Sequence, residues 1–138
     1  MRIIIVFILL GFLSACSGTG LQSYSAVMTV NTNSQGSVFV LRDTGYSGSG
    51  ALLNITLNGQ QIGKIGNKET AIGRSNSGNN YIEAKFSGIQ GIGMNNTQAN
   101  FISSGRENKY FLIKMTSGLF KNKIQMFEVN ESTFKSSF

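Results

Sequence analysis

The chain has no histidine, no proline and no tryptophan, and it has a single cysteine. Without histidine no side chain has an ordinary pKa near neutrality, and the commonest zinc ligand is missing. One cysteine cannot close an intramolecular disulfide. Charged residues are 13% of the 138 positions, about half the roughly 25% of a typical soluble domain. The carboxylates stand singly at Asp43, Glu69, Glu83, Glu107, Glu128 and Glu131. None has the paired spacing of a glycosidase or a metal clamp, so all six are expected on a solvated surface. A nucleophilic serine would here need a lysine base, and no Ser-x-x-Lys falls on an expected helix. The expectation is a non-enzymatic protein with no metal and no cofactor.

What is present points to turns and strands. There are 17 glycines in a background rich in Ser, Asn and Thr, and the length suits one domain. The formal charge is +6. At the N-terminus Arg2 precedes an apolar run from Ile3 to Phe12, interrupted only by Gly11, and then Leu13-Ser14-Ala15-Cys16. That order is a secretory signal, and about ten apolar residues fall well short of the ~20 that span a bilayer as a helix. Residues 1–15 are expected to be a signal peptide, residues 16–36 a Ser/Gly-rich tether, and residues 37–138 the folded domain. Fully flexible, such a tether would have an r.m.s. reach of about 25 Å, shortened if Ala26 to Val30 formed a first strand.

Leu13-Ser14-Ala15-Cys16 resembles the lipobox of bacterial lipoproteins at all four positions. The resemblance implies a diacylglyceryl thioether on Cys16 after cleavage, and with ~0.8 kcal/mol per buried CH₂, two or three acyl chains anchor a protein to a membrane almost without release. By resemblance to Gram-negative sorting, Ser17 in place of Asp implies the outer membrane, with the domain facing the periplasm. Loss of Arg2 with the leader lowers the formal charge to +5. Nucleic acid is not an expected partner in that compartment. The glycosylation-type triplets Asn54-Ile55-Thr56, Asn95-Asn96-Thr97 and Asn130-Glu131-Ser132 are then coincidental.

From Ser37 onward the apolar spacing is mostly period two, the mark of half-buried strands. Strands are expected around Val38 to Leu41, Leu53 to Leu57, Ile62 to Ile65, Tyr81 to Phe86, Phe101 and Ile102, Tyr110 to Met115, and Ile124 to Val129. Asn58-Gly59 is a strong hairpin signal because a type I′ turn needs positive φ at both central residues. The expected fold is all-β, a small antiparallel sandwich of about seven or eight strands, prealbumin-like or immunoglobulin-like. Over residues 37–130, Ser37-Val38-Phe39-Val40-Leu41-Arg42, Ile55 to Ile65 and Ser104-Gly105-Arg106 before Tyr110 resemble a family of short bacterial lipoproteins with one domain of unknown function. That resemblance implies the same sandwich and a cell-envelope location, and carries over no catalytic residue.

Two sites are expected. Gly88 to Gly93 has the reverse of G-x-G-x-x-G spacing, so it is read as a loop, and its Ile89 and Ile92 with Met94 offer apolar contact to an envelope protein partner. Lys114, Lys121 and Lys123 form a candidate patch for an anionic envelope ligand such as lipid A phosphate, peptidoglycan or another glycan, with Lys121 and Lys123 sharing a strand face by alternation. Arg42 beside Asp43 is read as an ion pair at the rim. The expected function is a lipid-anchored protein-interaction or structural module, the alternative a binding module for that anionic ligand.

Overall fold

The computed structural model describes residues 18–31, 35–45, 50–88, 93–117 and 122–138. Eight strands, β1 (Ser37–Asp43), β2 (Leu53–Leu57), β3 (Gln60–Ile65), β4 (Thr70–Arg74), β5 (Gly78–Phe86), β6 (Thr97–Ser103), β7 (Lys109–Ser117) and β8 (Asn122–Val129), are framed by helices α1 (Tyr24–Asn31) and α2 (Glu131–Lys135). They form two four-stranded sheets, ordered β4-β1-β7-β8 and β3-β2-β5-β6. The fold is the all-β sandwich that the spacing predicts. Pairing is antiparallel except between β1 and β7, which run parallel with Phe39 opposite Tyr110 and Leu41 opposite Leu112. The β2–β3 hairpin turns through Asn58 and Gly59 with φ of 52° and 82°, the two positive values a type I′ turn requires.

Alternation builds the core. Val38, Val40, Phe111, Ile113 and Ile124 point from the first sheet onto Leu53, Ile55, Ile82, Ala84 and Phe101 of the second. The intervening Phe39, Leu41, Tyr110 and Leu112 point to the other side of the first sheet, where Val27 of α1 and Phe134 of α2 cover them. That second layer explains why β1 and β7 read as continuous apolar runs: β1 is buried on both faces from Ser37 to Arg42. Val27 and Phe134 are fully buried, worth ~1.5–3 kcal/mol each. The C-terminal Phe134 and Phe138 thus pack on the sandwich, their rings 5.4 Å apart.

Two elements differ from the sequence expectation. Ala26 to Val30 is helix, not strand. The Ser23 side-chain oxygen accepts the Ala26 N–H, and Tyr24, Val27 and Met28 fall on one helical face that packs on the sheet beside Leu21. A two-turn helix has little stability alone, so packing on Phe39 and Leu41 holds it. The eighth strand is instead β4, whose Thr70-Ala71-Ile72-Gly73-Arg74 has too little alternation to stand out. Nor is the chain a free tether from residue 18 onward: the Thr19 N–H donates to the Lys64 carbonyl, and Leu21 and Thr70 exchange both backbone bonds. Cys16 lies outside the described residues.

Candidate functional site

The two ends of the sandwich differ in kind. One end, named here for Gly18, carries the close of β1, β3, β5 and β7 and the start of β2, β4, β6 and β8. Its interior is plugged by Arg42, which is fully buried instead of forming the expected rim pair with Asp43. The Arg42 guanidinium donates to the Thr44 hydroxyl at 2.9 Å and to the carbonyls of Ala51 and Ile65, and it lies 5.7 Å from the centre of the Phe86 ring. Burial lowers its pKa and the Glu69 carboxylate opposes that shift. Glu69 is itself buried, a departure from the expected solvated carboxylate. It accepts from the Gly66 N–H at 2.8 Å and from the Gln22 side chain at 3.3 Å.

The surface of this end is basic. Lys68 reaches Asp43 at 2.8 Å, Lys114 reaches the other Asp43 oxygen at 3.7 Å, and Lys85 pairs with Glu83 at 2.9 Å. Lys123 is exposed and Lys64 half-buried. Among the described residues, these five lysines meet only the half-buried carboxylates of Asp43 and Glu83 there. Lys114 and Lys123 share the outer face of the first sheet, with Lys114 opposite Gln125 and Lys123 opposite Thr116. Lys121 lies outside the described residues, with β8 beginning at Asn122. Ile89 and Ile92 also lie outside the described residues. Met94 is half-buried at the Gly18 end.

The opposite end carries the Asn58–Gly59 hairpin and two depressions beside it. The larger, 490 Å³, opens between the edge strands β3 and β4 and is lined by Leu57, Gln61, Ile62, Ile72, Gly73 and Arg74, among others. Its walls approach each other where side chains are smallest. A methyl built on Gly73 would sit 2.9 Å from Ile62, and one on Gly63 2.8 Å from the Ala71 methyl. Backbone direction follows from the ladder. Thr70 turns its N–H and C=O outward to Leu21, so by alternation Ile72 and Arg74 turn theirs into the cleft. The smaller depression, 360 Å³, lies on the second sheet between β5 and β6 and is lined by Asn79, Asn80, Tyr81, Asn100, Phe101 and Ile102. Ile102 is 71% exposed there. The charge at this end is closer to balance: exposed Arg74 and Arg106 with Lys109 stand against Glu107 and Glu128, Lys109 pairing with Glu128 at 3.1 Å and Glu107 at 3.5 Å, and its bond to Glu128 raises its pKa.

Sequence reasoning missed both depressions and also Asn95. The Asn95 side chain accepts from the Ile124 N–H and donates to the Ile124 carbonyl, each at 2.9 Å, while the Thr97 hydroxyl accepts the Met126 N–H. These side chains cover the edge of β8. Asn130, another of the coincidental triplets, caps α2 by accepting the Thr133 N–H. A Ser-x-x-Lys does fall on a helix, at Ser132 and Lys135 of α2. The Ser132 hydroxyl is bonded to Asn130 at 2.7 Å, and the Lys135 ammonium lies 5.3 Å from the Tyr24 ring centre. That arrangement caps and packs a helix on the surface. Among the described residues no three of His, Cys, Asp and Glu cluster as a metal site, and no helix is long and apolar enough to cross a membrane.

No protein-family model matches the chain, and no curated protein matches it. A solved NMR structure of a protein from Eubacterium rectale is similar at a TM-score of 0.44 with 12% identity, over 71% of this chain and 91% of that one. A likeness of that size carries no argument about function.

Proposed function

We propose that the protein is a non-enzymatic, lipid-anchored protein of the bacterial cell envelope that binds another envelope protein by accepting an extended segment of it into the cleft between β3 and β4. The anchor is Cys16, the membrane the outer one, and the domain faces the periplasm. One observation carries the binding mode: at the Gly18 end of the same seam, residues 19–21 of the chain itself already lie between the two edges, bonded to Lys64 on one side and Thr70 on the other. The remainder of the seam offers the same kind of edge, including the backbone groups of Ile72 and Arg74, with apolar side chains for specificity. Strand addition takes its affinity from main-chain bonds and its specificity from such alternate pockets.

The test is in-cell photo-cross-linking from Gln61 in the cleft, with Gln98 on the outer face of the second sheet as control. A discrete adduct from position 61 that is absent from position 98, and that fades when Ile72 is changed to Asp in a variant that still folds, supports the reading. No adduct from position 61 overturns the cleft as the binding site. A Cys16→Ser variant that fractionates like the native protein overturns the anchor. A second reading, an anionic envelope ligand, draws on the shared face of Lys114 and Lys123; it requires binding that collapses as ionic strength rises and that weakens in a Lys114→Ala/Lys123→Ala variant.

A further inference from the structure

We infer that the Gly18 end of the sandwich is docked on the anionic lipid surface that holds the anchor, its lysines facing lipid phosphates and the β3–β4 cleft turned away from the membrane. This rests on the reading of Cys16 as the lipidated residue.

Chain length makes the first argument. A flexible tether over residues 16–36 would let the domain wander about 25 Å from the bilayer in any orientation. The structure removes that freedom. Gly18 is held so closely that a methyl on it would meet the Glu69 carboxylate at 1.9 Å and the Gly66 nitrogen at 3.0 Å, and the Thr19 N–H is bonded to the Lys64 carbonyl at 2.7 Å. Only Ser17 separates Gly18 from Cys16. Two residues of fully extended chain span at most ~7 Å, which is no more than the Debye length of ~8 Å at physiological ionic strength. Gly18 itself, with the backbone of Lys64 bonded to its neighbour Thr19, therefore lies within the field of the surface to which Cys16 is attached.

Charge makes the second. Lys64, Lys68, Lys85, Lys114 and Lys123 ring this end on both sheets and the β3–β4 turn. Asp43 is shared between Lys68 and Lys114, and the 3.7 Å contact to Lys114 is the longest of the ion pairs here, the one a lipid phosphate most readily replaces. At the hairpin end Lys109 is matched by Glu107 and Glu128, so with Arg74 and Arg106 that end sets three basic residues against two acidic ones, whereas the Gly18 end sets its five lysines against Asp43 and Glu83. The charge asymmetry thus has the same sense as the attachment point. The 490 Å³ cleft, at the far end, faces the aqueous side from which a partner segment arrives.

The experiment uses the full-length lipidated protein in phosphatidylcholine vesicles with and without phosphatidylglycerol. With Cys16 occupied by lipid, Asn96→Cys at the Gly18 end and Ser77→Cys at the hairpin end each give a unique thiol for a fluorophore, read against a quencher carried on lipid headgroups. The expected result is roughly twofold or greater excess quenching at position 96 over position 77 in the anionic vesicles, lost at ~1 M salt where the Debye length is ~3 Å, and reduced in a Lys114→Gln/Lys123→Gln variant. Equal quenching at both positions, with mass spectrometry showing lipid on Cys16, overturns the docking and leaves the anchor standing. An unmodified Cys16 overturns both.

Discussion

The two seams between the sheets face the same difficulty, a pair of strand edges with unsatisfied backbone groups, and meet it differently. Between β6 and β8 the edge is covered by side chains: the Asn95 amide takes both the N–H and the C=O of Ile124, and Thr97 takes the Met126 N–H. Between β3 and β4 it is covered by backbone, with residues 19–21 bonded to Lys64 and Thr70, and only for part of its length. A side chain that mimics the backbone closes its edge permanently because nothing else can take its place. A seam half-filled by an extended segment leaves a template of the same shape beside it.

The largest effect is expected where the two sheets themselves are tied together. Arg42 belongs to β1 of the first sheet, yet its guanidinium is held by the carbonyls of Ala51 and Ile65, on either side of the second sheet's β2 and β3. An Arg42→Met variant leaves those carbonyls and the buried Glu69 without their cation, at a cost of ~3–5 kcal/mol. Urea denaturation reads it, and a loss below ~1 kcal/mol would mean that water replaces the guanidinium. Asn95→Ala strikes the side-chain seam alone. It orphans two backbone groups of Ile124, which costs ~2–3 kcal/mol, and native-state hydrogen exchange should speed at Ile124 and not at Thr70. Equal acceleration at both would join the seams into one cooperative unit. Gly63→Ala strikes the other seam by overpacking against Ala71, at ~1–2 kcal/mol, with the reverse exchange pattern.

The contrast also explains what could be read from the chain beforehand. Strands that pack by alternation, such as Leu53-Asn54-Ile55-Thr56-Leu57, and the Asn58-Gly59 turn were legible because their causes are local. β4 was not, because Gly73 and Ala71 are small in order to let β3 approach, a tertiary reason that erases the local pattern. Arg42 read as a rim charge because the carbonyls that hold it lie 9 and 23 residues away. The helix α1 was hidden by its shortness, although Tyr24, Val27 and Met28 stand at helical spacing once the sheet that buries them is known. The basic residues of the candidate patch were legible as residues. Their gathering around Gly18 depends on the parallel pairing of β1 with β7, which brings Asp43 beside Lys114.

The smallest expected effect tests how the backbone-covered seam is held. Residues 19–21 lead into α1, and α1 is latched to α2 by the Tyr24 hydroxyl, which donates to Glu131 at 2.8 Å. That bond, with lesser help from burial, raises the Tyr24 pKa to about 12. The raised value fixes the sign of the pH dependence. A phenol that ionises near 10 in the unfolded chain and near 12 in the folded one contributes its stability in full below pH 10 and loses it as pH rises toward 12. Burial raises the Tyr110 pKa as well, so phenolate absorbance should show a late phase that shrinks, without vanishing, in a Tyr24→Phe variant. At neutral pH the same variant should cost no more than ~1 kcal/mol, because the bond is at the surface. If the latch serves the seam, exchange at Thr70 quickens in Tyr24→Phe while Ile124 stays protected. If Thr70 does not respond, residues 19–21 hold their place between β3 and β4 through their own backbone bonds alone, and that half of the seam is closed independently of the helices.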